Sequence, residues 1–249
     1  MTLYKTFYNS RLISGIRRVP FLAVPARELQ RFVALLTRPY HVSRYFENYT
    51  VRKLQIGAAV SLLSGWLNSD LYPKTFNSIS LDPTERFPIA LDATKRFPFP
   101  DQSFDYVFSE HQMEHIPYHS AVFMLAECHR ILRPGGKIRI AMPSLDRLVE
   151  LLGEKTPLHE RYMTHKRDLC YPGAPPNPCI AFNAAFMNWT HRFIYDRDTL
   201  CCMLRDAGFR DVRFFVPGES NDPNLVGIEA RTAELDAYET MVAQGIKSA

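Results

Sequence analysis

The sequence predicts an α/β fold built on a largely parallel sheet, and two observations carry this. Between Ser103 and Pro143 the apolar run Tyr106-Val107-Phe108 leads into a helical pattern. In that pattern Val122, Leu125, Ala126, His129 and Leu132 recur at three- and four-residue spacing. Pro134-Gly135-Gly136 then stops the helix, and a second run, Lys137 to Met142, ends at Pro143. Strand, helix, glycine turn and strand make one βαβ unit, because parallel strands need a crossover. The second observation is the ending. A helix over 197–206 is followed by strand-like runs at Arg210–Val216 and Leu225–Ala230, joined by the turn PGESNDPN. A closing hairpin predicts an antiparallel edge on the parallel sheet.

Upstream of the central unit, residues 1–25 show no periodicity. Residues 26–38 read as a short helix with Leu29, Phe32, Val33 and Leu36 on one face, flanked by Arg27, Arg31 and Arg38 and ended by Pro39. VRKLQIG (51–57) reads as a strand followed by a glycine, and Gly65 to Asp70 as a second strand ending in an acid. The intervening AAVSLLS is short for a helix. A strand, a glycine turn and a following acid suit a nucleotide, with backbone N–H groups near the ligand and the acid on a ribose. LDPTERFPIA and LDATKRFPFP then repeat a ten-residue pattern and offer Asp82 and Asp92 for one role. Asp92 is preferred because it leads directly into the central unit. Downstream, SLDRLVELLGE reads as helix and YPGAPPNPC (171–179) as a loop, suited to a lid. Asp196 reads as an N-cap.

The composition sets limits. With 46% hydrophobic residues among 249, the chain has a core and is not disordered. No apolar run reaches the roughly 20 residues of a membrane span, and no signal peptide is read. Five cysteines without a CxxC pair suggest reduced thiols and a cytoplasmic setting. The net charge of +4 is uneven. Residues 1–53 hold ten basic and two acidic side chains, so this leader is +8 and the remainder −4. A basic leader suggests peripheral contact with an anionic membrane through residues 1–45, or a solvated helix face. The expected division is a basic extension over 1–50, a main domain over 51–231 with an insertion at 144–190, and a C-terminal tail over 232–249.

KLQIG, GWLNSDLYP, LDATKRFPFPDQSFDYVFSEHQMEHI, ECHRILRPGGKIRIAMP and HRFIYDRDTLCCMLRDAGFRDV, in this order, resemble the class I S-adenosylmethionine-dependent methyltransferases, most closely the small bacterial type 11 group. The resemblance implies a Rossmann-like, doubly wound seven-stranded sheet, mostly parallel with an antiparallel last strand. It implies S-adenosylmethionine as cofactor, with Gly57 under its methionine part, Asp70 on the ribose, Asp92 and Ala93 beside the adenine, and Ser109 to His111 lining the methyl-transfer site. Where the family turn has a second glycine, this chain has Ala59, so a degenerate binding protein of the same fold is an alternative.

The expected reaction is O-methylation of a hydroxyl on a sugar, glycan or small molecule. His111 is expected as general base, His191 as acceptor-binding residue and Glu110 as the carboxylate that orients an imidazole. No nucleic-acid partner is expected, because SEHQ stands where base-amino methyltransferases carry (D/N)PPY, and no aromatic-interleaved basic run appears. His111-x-x-Glu114-His115 also matches the HxxEH pattern of zinc hydrolases, with Glu127 or Glu150 as a third ligand. That reading is disfavoured, since His111 falls at a strand end rather than on a helix, and no metal is expected. The acceptor's identity and the oligomeric state are not encoded in any motif.

Overall fold

A computed structural model describes residues 20–73 and 88–248. Asp82 and the rest of residues 81–87 in the first copy of the ten-residue repeat lie outside the described residues, as do residues 1–19 of the leader. Helix α1 (Pro20–Asn48) leads into strands β1 (Lys53–Ile56), β2 (Leu67–Asp70), β3 (Ile89–Ala90) and β4 (Phe104–Glu110). A 3₁₀ turn (Met113–His115) follows, then α2 (Tyr118–Ile131) and β5 (Leu132–Pro143). Helices α3 (Leu145–Glu150), α4 (Pro157–Cys170), α5 (Pro178–Met187) and α6 (Arg197–Asp206) precede β6 (Phe209–Phe215), α7 (Glu234–Glu239) and β7 (Thr240–Lys247). The seven strands form one sheet in the order β3-β2-β1-β4-β5-β7-β6. The first five are parallel, and β7 runs antiparallel between β5 and β6. This is the doubly wound, Rossmann-like sheet expected from the sequence.

The central βαβ unit forms as read. Leu125, Cys128 and Ile131 of α2 are buried against Val107, Ile138 and Ile140. Pro134-Gly135-Gly136 does not precede β5 but bulges within it. Phe104 pairs with Leu132 while Tyr106 pairs with Lys137, so the extra residues are looped out of register. Asp196 caps α6 by accepting from the Thr199 amide at 2.7 Å.

Several expectations are corrected. Pro39 does not end α1, which continues through it to Asn48. A proline inside a helix costs about 3 kcal/mol, and here the turns beyond it are anchored in the core. Tyr45 is buried among Leu54 and Leu67, and its hydroxyl accepts from the Lys53 amide at 2.8 Å. The end of the 1–50 segment therefore belongs to the domain. Three of its described basic side chains meet the domain, with Arg27 and Arg31 over the Tyr72 ring and Arg38 donating to the Ala90 carbonyl at 3.1 Å, while Arg44 pairs with Glu47 at the surface.

Leu225–Ala230 is not a strand, and residues 232–249 are not a tail, because β7 comes from 240–247. The stretch from Val216 to Ala230 instead covers the sheet face beside β1 and β2, whose 57–66 connection holds no helix. Leu225 packs there with Trp66 and Phe108, and Lys53 donates to Asn224 at 3.1 Å. The 144–190 insertion is a packed helical cap that carries, at 171–177, the loop read from the sequence. Leu148, Leu151, Tyr162, Met163, Ala181 and Ala185 form its own small core. Among the described residues, no helix is long and apolar enough to cross a membrane.

Candidate active site

Strands β3, β2, β1 and β4 are neighbours and parallel, so their carboxyl ends open along one edge, where open α/β sheets take their ligands. Asp92 and Ala93 follow β3, Asp70 ends β2, Gly57 follows β1, and Ser109 and Glu110 end β4. The topology thus brings every cofactor residue expected from the sequence to that edge.

Gly57 holds its turn at φ +73°, and a Cβ there would meet Gln112 Cγ at 2.5 Å. Only a bare backbone fits beneath Gln112. Ser109 is paired in register with Ile56, and both Ser109 Oγ and Gln112 Oε1 are buried without a hydrogen-bond partner among the described residues. Orphaned buried polar atoms are rare in folded proteins. Two of them beside a bare glycine turn are acceptors suited to the ammonium end of a bound amino acid, which S-adenosylmethionine carries.

Asp70 is held by the backbone: Oδ2 accepts from the Ala59 amide at 3.0 Å and Oδ1 from the Tyr72 amide at 2.9 Å. Each carboxylate oxygen keeps further acceptor capacity. The residues present therefore fit S-adenosylmethionine.

Ala59 keeps the turn shape by adopting the conformation a glycine would take, φ +46°, with its side chain exposed. The left-handed conformation costs an alanine about 1 kcal/mol. Ala59→Gly is accordingly expected to raise stability by up to about 1 kcal/mol in urea denaturation. A clear loss of stability would show instead that the methyl group packs.

Asp92 accepts from the Thr94 amide at 3.0 Å and from its hydroxyl at 2.6 Å, so it caps its own turn. Burial opposes its charge, but the Thr94 hydrogen bonds and Lys95 prevail and hold it below the usual carboxylate range. Ala93 is buried beside it.

Past β4 the chain turns at His111, whose φ of +46° is strained for a residue with a side chain. Its Nδ1 faces Glu114 Oε1 at 3.2 Å and its Nε2 faces the Thr240 hydroxyl at 3.2 Å. The His111 side chain is 6% exposed and that of Glu114 0%. Burial favours the neutral acid for Glu114, yet His111 and then His115 outweigh it and keep the carboxyl below its usual range.

Glu110 has a different task from the one expected. Its carboxylate accepts from the amides of Ala230 and Arg231 at 3.0–3.1 Å and fastens the segment that covers the sheet. Glu114 is the carboxylate at the imidazole. The signal for it was the three-residue spacing from His111, which a 3₁₀ turn brings together. Gln112 and Thr240 carried no such signal.

His191 arrives from the cap. The amides of Arg192 and Phe193 donate to the Glu114 carbonyl at 2.7 and 3.3 Å, which lays the His191 ring edge-on to His115 at 4.8 Å. His191 Nδ1 donates to the Ala185 carbonyl at 2.6 Å, and burial lowers its pKa. A neutral imidazole fixed in this way has its lone pair on Nε2.

The HxxEH zinc-hydrolase reading fails on geometry. Residues 111–115 are a bend and a 3₁₀ turn, so His111 and His115 share no helix face. Glu127 is tied to Arg130 and the Phe97 amide, and Glu150 to Arg147.

Residues 58–140 match the family model described as Methyltransferase domain, the type 11 group. The complex between the Haloferax volcanii Trm112 methyltransferase activator and a methyltransferase is similar at TM-score 0.51 and 15% identity, covering 85% of this chain and 91% of that one. A SAM-dependent methyltransferase from Archaeoglobus fulgidus is similar at TM-score 0.46 and 18% identity, over 89% and 94% of the two chains. No curated protein matches the sequence. The sheet order and the match over residues 58–140 support a class I S-adenosylmethionine-dependent methyltransferase. The same match supports the type 11 group, with S-adenosylmethionine as cofactor.

Proposed function

We propose that this enzyme methylates a hydroxyl group on a sugar, glycan or other small molecule. The observation that carries the reading is the His111–Glu114 pair at the carboxyl end of β4, beside the orphaned acceptors of Ser109 and Gln112. Bound S-adenosylmethionine supplies an electrophilic methyl carbon. The chain must align an acceptor with it and accept a proton.

A hydroxyl is a weak nucleophile until its proton leaves. Glu114 orients His111 through Nδ1; the acceptor hydroxyl displaces Thr240, whose own hydrogen goes to the Asp236 carbonyl, from Nε2, and the neutral Nε2 then takes the acceptor proton as the oxygen–carbon bond forms. His191 binds the acceptor from the cap side. Five free thiols support a reducing, cytoplasmic setting. Leu29, Phe32, Leu36 and Tyr40 form an exposed stripe on α1, which supports peripheral contact of residues 1–45 with an anionic membrane.

The test is transfer from S-adenosylmethionine labelled in its methyl group to a panel of sugars, glycans, alcohols and amines. Label in an alkali-stable ether is the expected result. Label only in amines or in alkali-labile esters would overturn the hydroxyl reading.

A further inference from the structure

We infer that Glu114, His115 and His191 form a binding site for one divalent transition-metal ion of the zinc type. One ligand-capable atom from each residue lies within 4.8 Å of the other two. These residues come from two distant stretches of chain, joined by the hydrogen bonds that the Arg192 and Phe193 amides make to the Glu114 carbonyl.

The carboxylate is the first indication. Glu114 Oε2 has no hydrogen-bond partner among the described residues, and the side chain is 0% exposed. His111 lies 3.2 Å from Oε1 as an ion-pair contact, which leaves Oε2 with nothing. A buried carboxylate with an unused oxygen is costly, and a cation satisfies it. The Tyr195 hydroxyl is likewise buried and has no hydrogen-bond partner among the described residues.

The imidazoles are the second indication. With Nδ1–H committed to the Ala185 carbonyl, His191 holds Nε2 as a lone pair, the backbone arrangement that fixes metal-binding histidines. His115 lies beside it, with Nε2 3.9 Å from Glu114 Oε1 and Nδ1 3.5 Å from the Thr190 hydroxyl.

Backbone strain is the third. Trp189 and Thr190, directly before His191, sit at φ +54° and +63°. Two successive side-chain-bearing residues in the left-handed region are unfavourable, most of all for β-branched Thr190, and strain of this kind collects at functional sites.

The donor set selects the metal. Two imidazoles and one carboxylate suit zinc and its first-row neighbours rather than magnesium or calcium, and three protein ligands leave a position open. Metal–ligand distances near 2.0–2.2 Å require the donors to close by about 1 Å. Rotation of the half-buried His115 ring, whose contact with Thr190 is long at 3.5 Å, provides this. His111 is not a ligand, since its nitrogens face Glu114 and Thr240. The set differs from the HxxEH pattern, implies no hydrolysis, and departs from the sequence expectation of no metal. On the hydroxyl-acceptor reading, on which this part rests, the open position holds the acceptor oxygen.

The test uses the untagged full chain, purified without chelator and analysed for metal. It is then stripped and titrated with Zn²⁺ against a chromophoric chelator, and with Co²⁺ for its ligand-field spectrum. One Zn²⁺ per chain and a tetrahedral Co²⁺ spectrum are expected. Loss of an outer-shell partner alone costs metal sites 10–100-fold, so His115→Ala and His191→Ala should each weaken Zn²⁺ at least about a hundredfold. Glu114→Gln, of the same shape, should do the same.

S-adenosylhomocysteine titration of each variant checks that the fold persists, and it should stay within a few-fold of wild type. Zinc binding unchanged in His115→Ala and His191→Ala, or absent from the wild type, would overturn the site. Zinc binding without cofactor binding supports the site and counts against methyl transfer. Cofactor binding without zinc does the reverse.

Discussion

Replacing Glu229 by alanine is expected to lower the stability of the protein by about 3–5 kcal/mol, because it leaves a buried guanidinium without its counter-charge. Arg139 sits in β5 at the middle of the sheet, and it and Glu229 are both 0% exposed in their side chains. Arg139 Nε donates to Glu229 Oε1, and Nη2 donates to the Glu219 carbonyl at 2.8 Å. Glu229 Oε2 in turn accepts from the Gly218 amide at 2.9 Å. The pair therefore pins the Val216–Ala230 segment over the sheet beside the helix-less β1–β2 connection. Urea unfolding reads the loss directly. The double replacement of Arg139 by Met and Glu229 by Leu should recover most of it, since buried ion pairs exchange for apolar residues at little net cost. A loss below about 1 kcal/mol in Glu229→Ala would mean that water reaches the guanidinium.

His111→Ala is expected to lower kcat by about a hundredfold or more, the usual contribution of a general base. S-adenosylhomocysteine affinity should stay within a few-fold, because His111 lies outside the Gly57–Asp70 turn. The variant also removes the imidazole beside buried Glu114, so some loss of stability accompanies it. His111→Asn separates the two effects. Asparagine tolerates the left-handed backbone at this position but is no base, so it should restore stability without restoring kcat. Full turnover by either variant at neutral pH would remove His111 from the chemistry and leave alignment of the acceptor as the source of rate.

Much of the sheet was legible because its parallel strands are buried on both faces and read as short apolar runs. The β4–α2–β5 unit and the turn at Gly57 show this. Strand β7 was not legible. Its sequence, TMVAQGIK, carries Gln244 and Gly245, and it follows the acidic ELDAYE, so it reads as a tail. Gly245 serves close packing there, since a Cβ would stand 3.2 Å from that of Phe209. Leu225–Ala230 looked like the strand because Leu225, Val226 and Ile228 are apolar, yet Leu225 and Ile228 pack onto the sheet face rather than into its edge. Pro39 misled for a related reason. Local propensity marks a helix end, but burial of Tyr45 carries the helix past it.

The site divides in the same way. That Gly57, Asp70, Asp92 and Ser109 share one sheet edge was readable, because each follows or ends a strand and the topology alone aligns strand ends. The roles within the imidazole cluster were not. Whether Glu110 or Glu114 meets His111 depends on one bend at a left-handed residue, which no periodicity reveals. The approach of His191 to His115 depends on two backbone hydrogen bonds across 77 residues of sequence.

The central claim, that the β1–β4 edge is an S-adenosylmethionine site, is tested most directly by calorimetric titration of the wild type and Asp70→Ala with S-adenosylhomocysteine. Hydrogen bonds from two ribose hydroxyls to a carboxylate contribute roughly 1.5–3 kcal/mol each. Saturable one-to-one binding by the wild type, weakened at least about tenfold in Asp70→Ala, is the predicted result. No heat of binding in the wild type, or an unchanged affinity in Asp70→Ala, would contradict it.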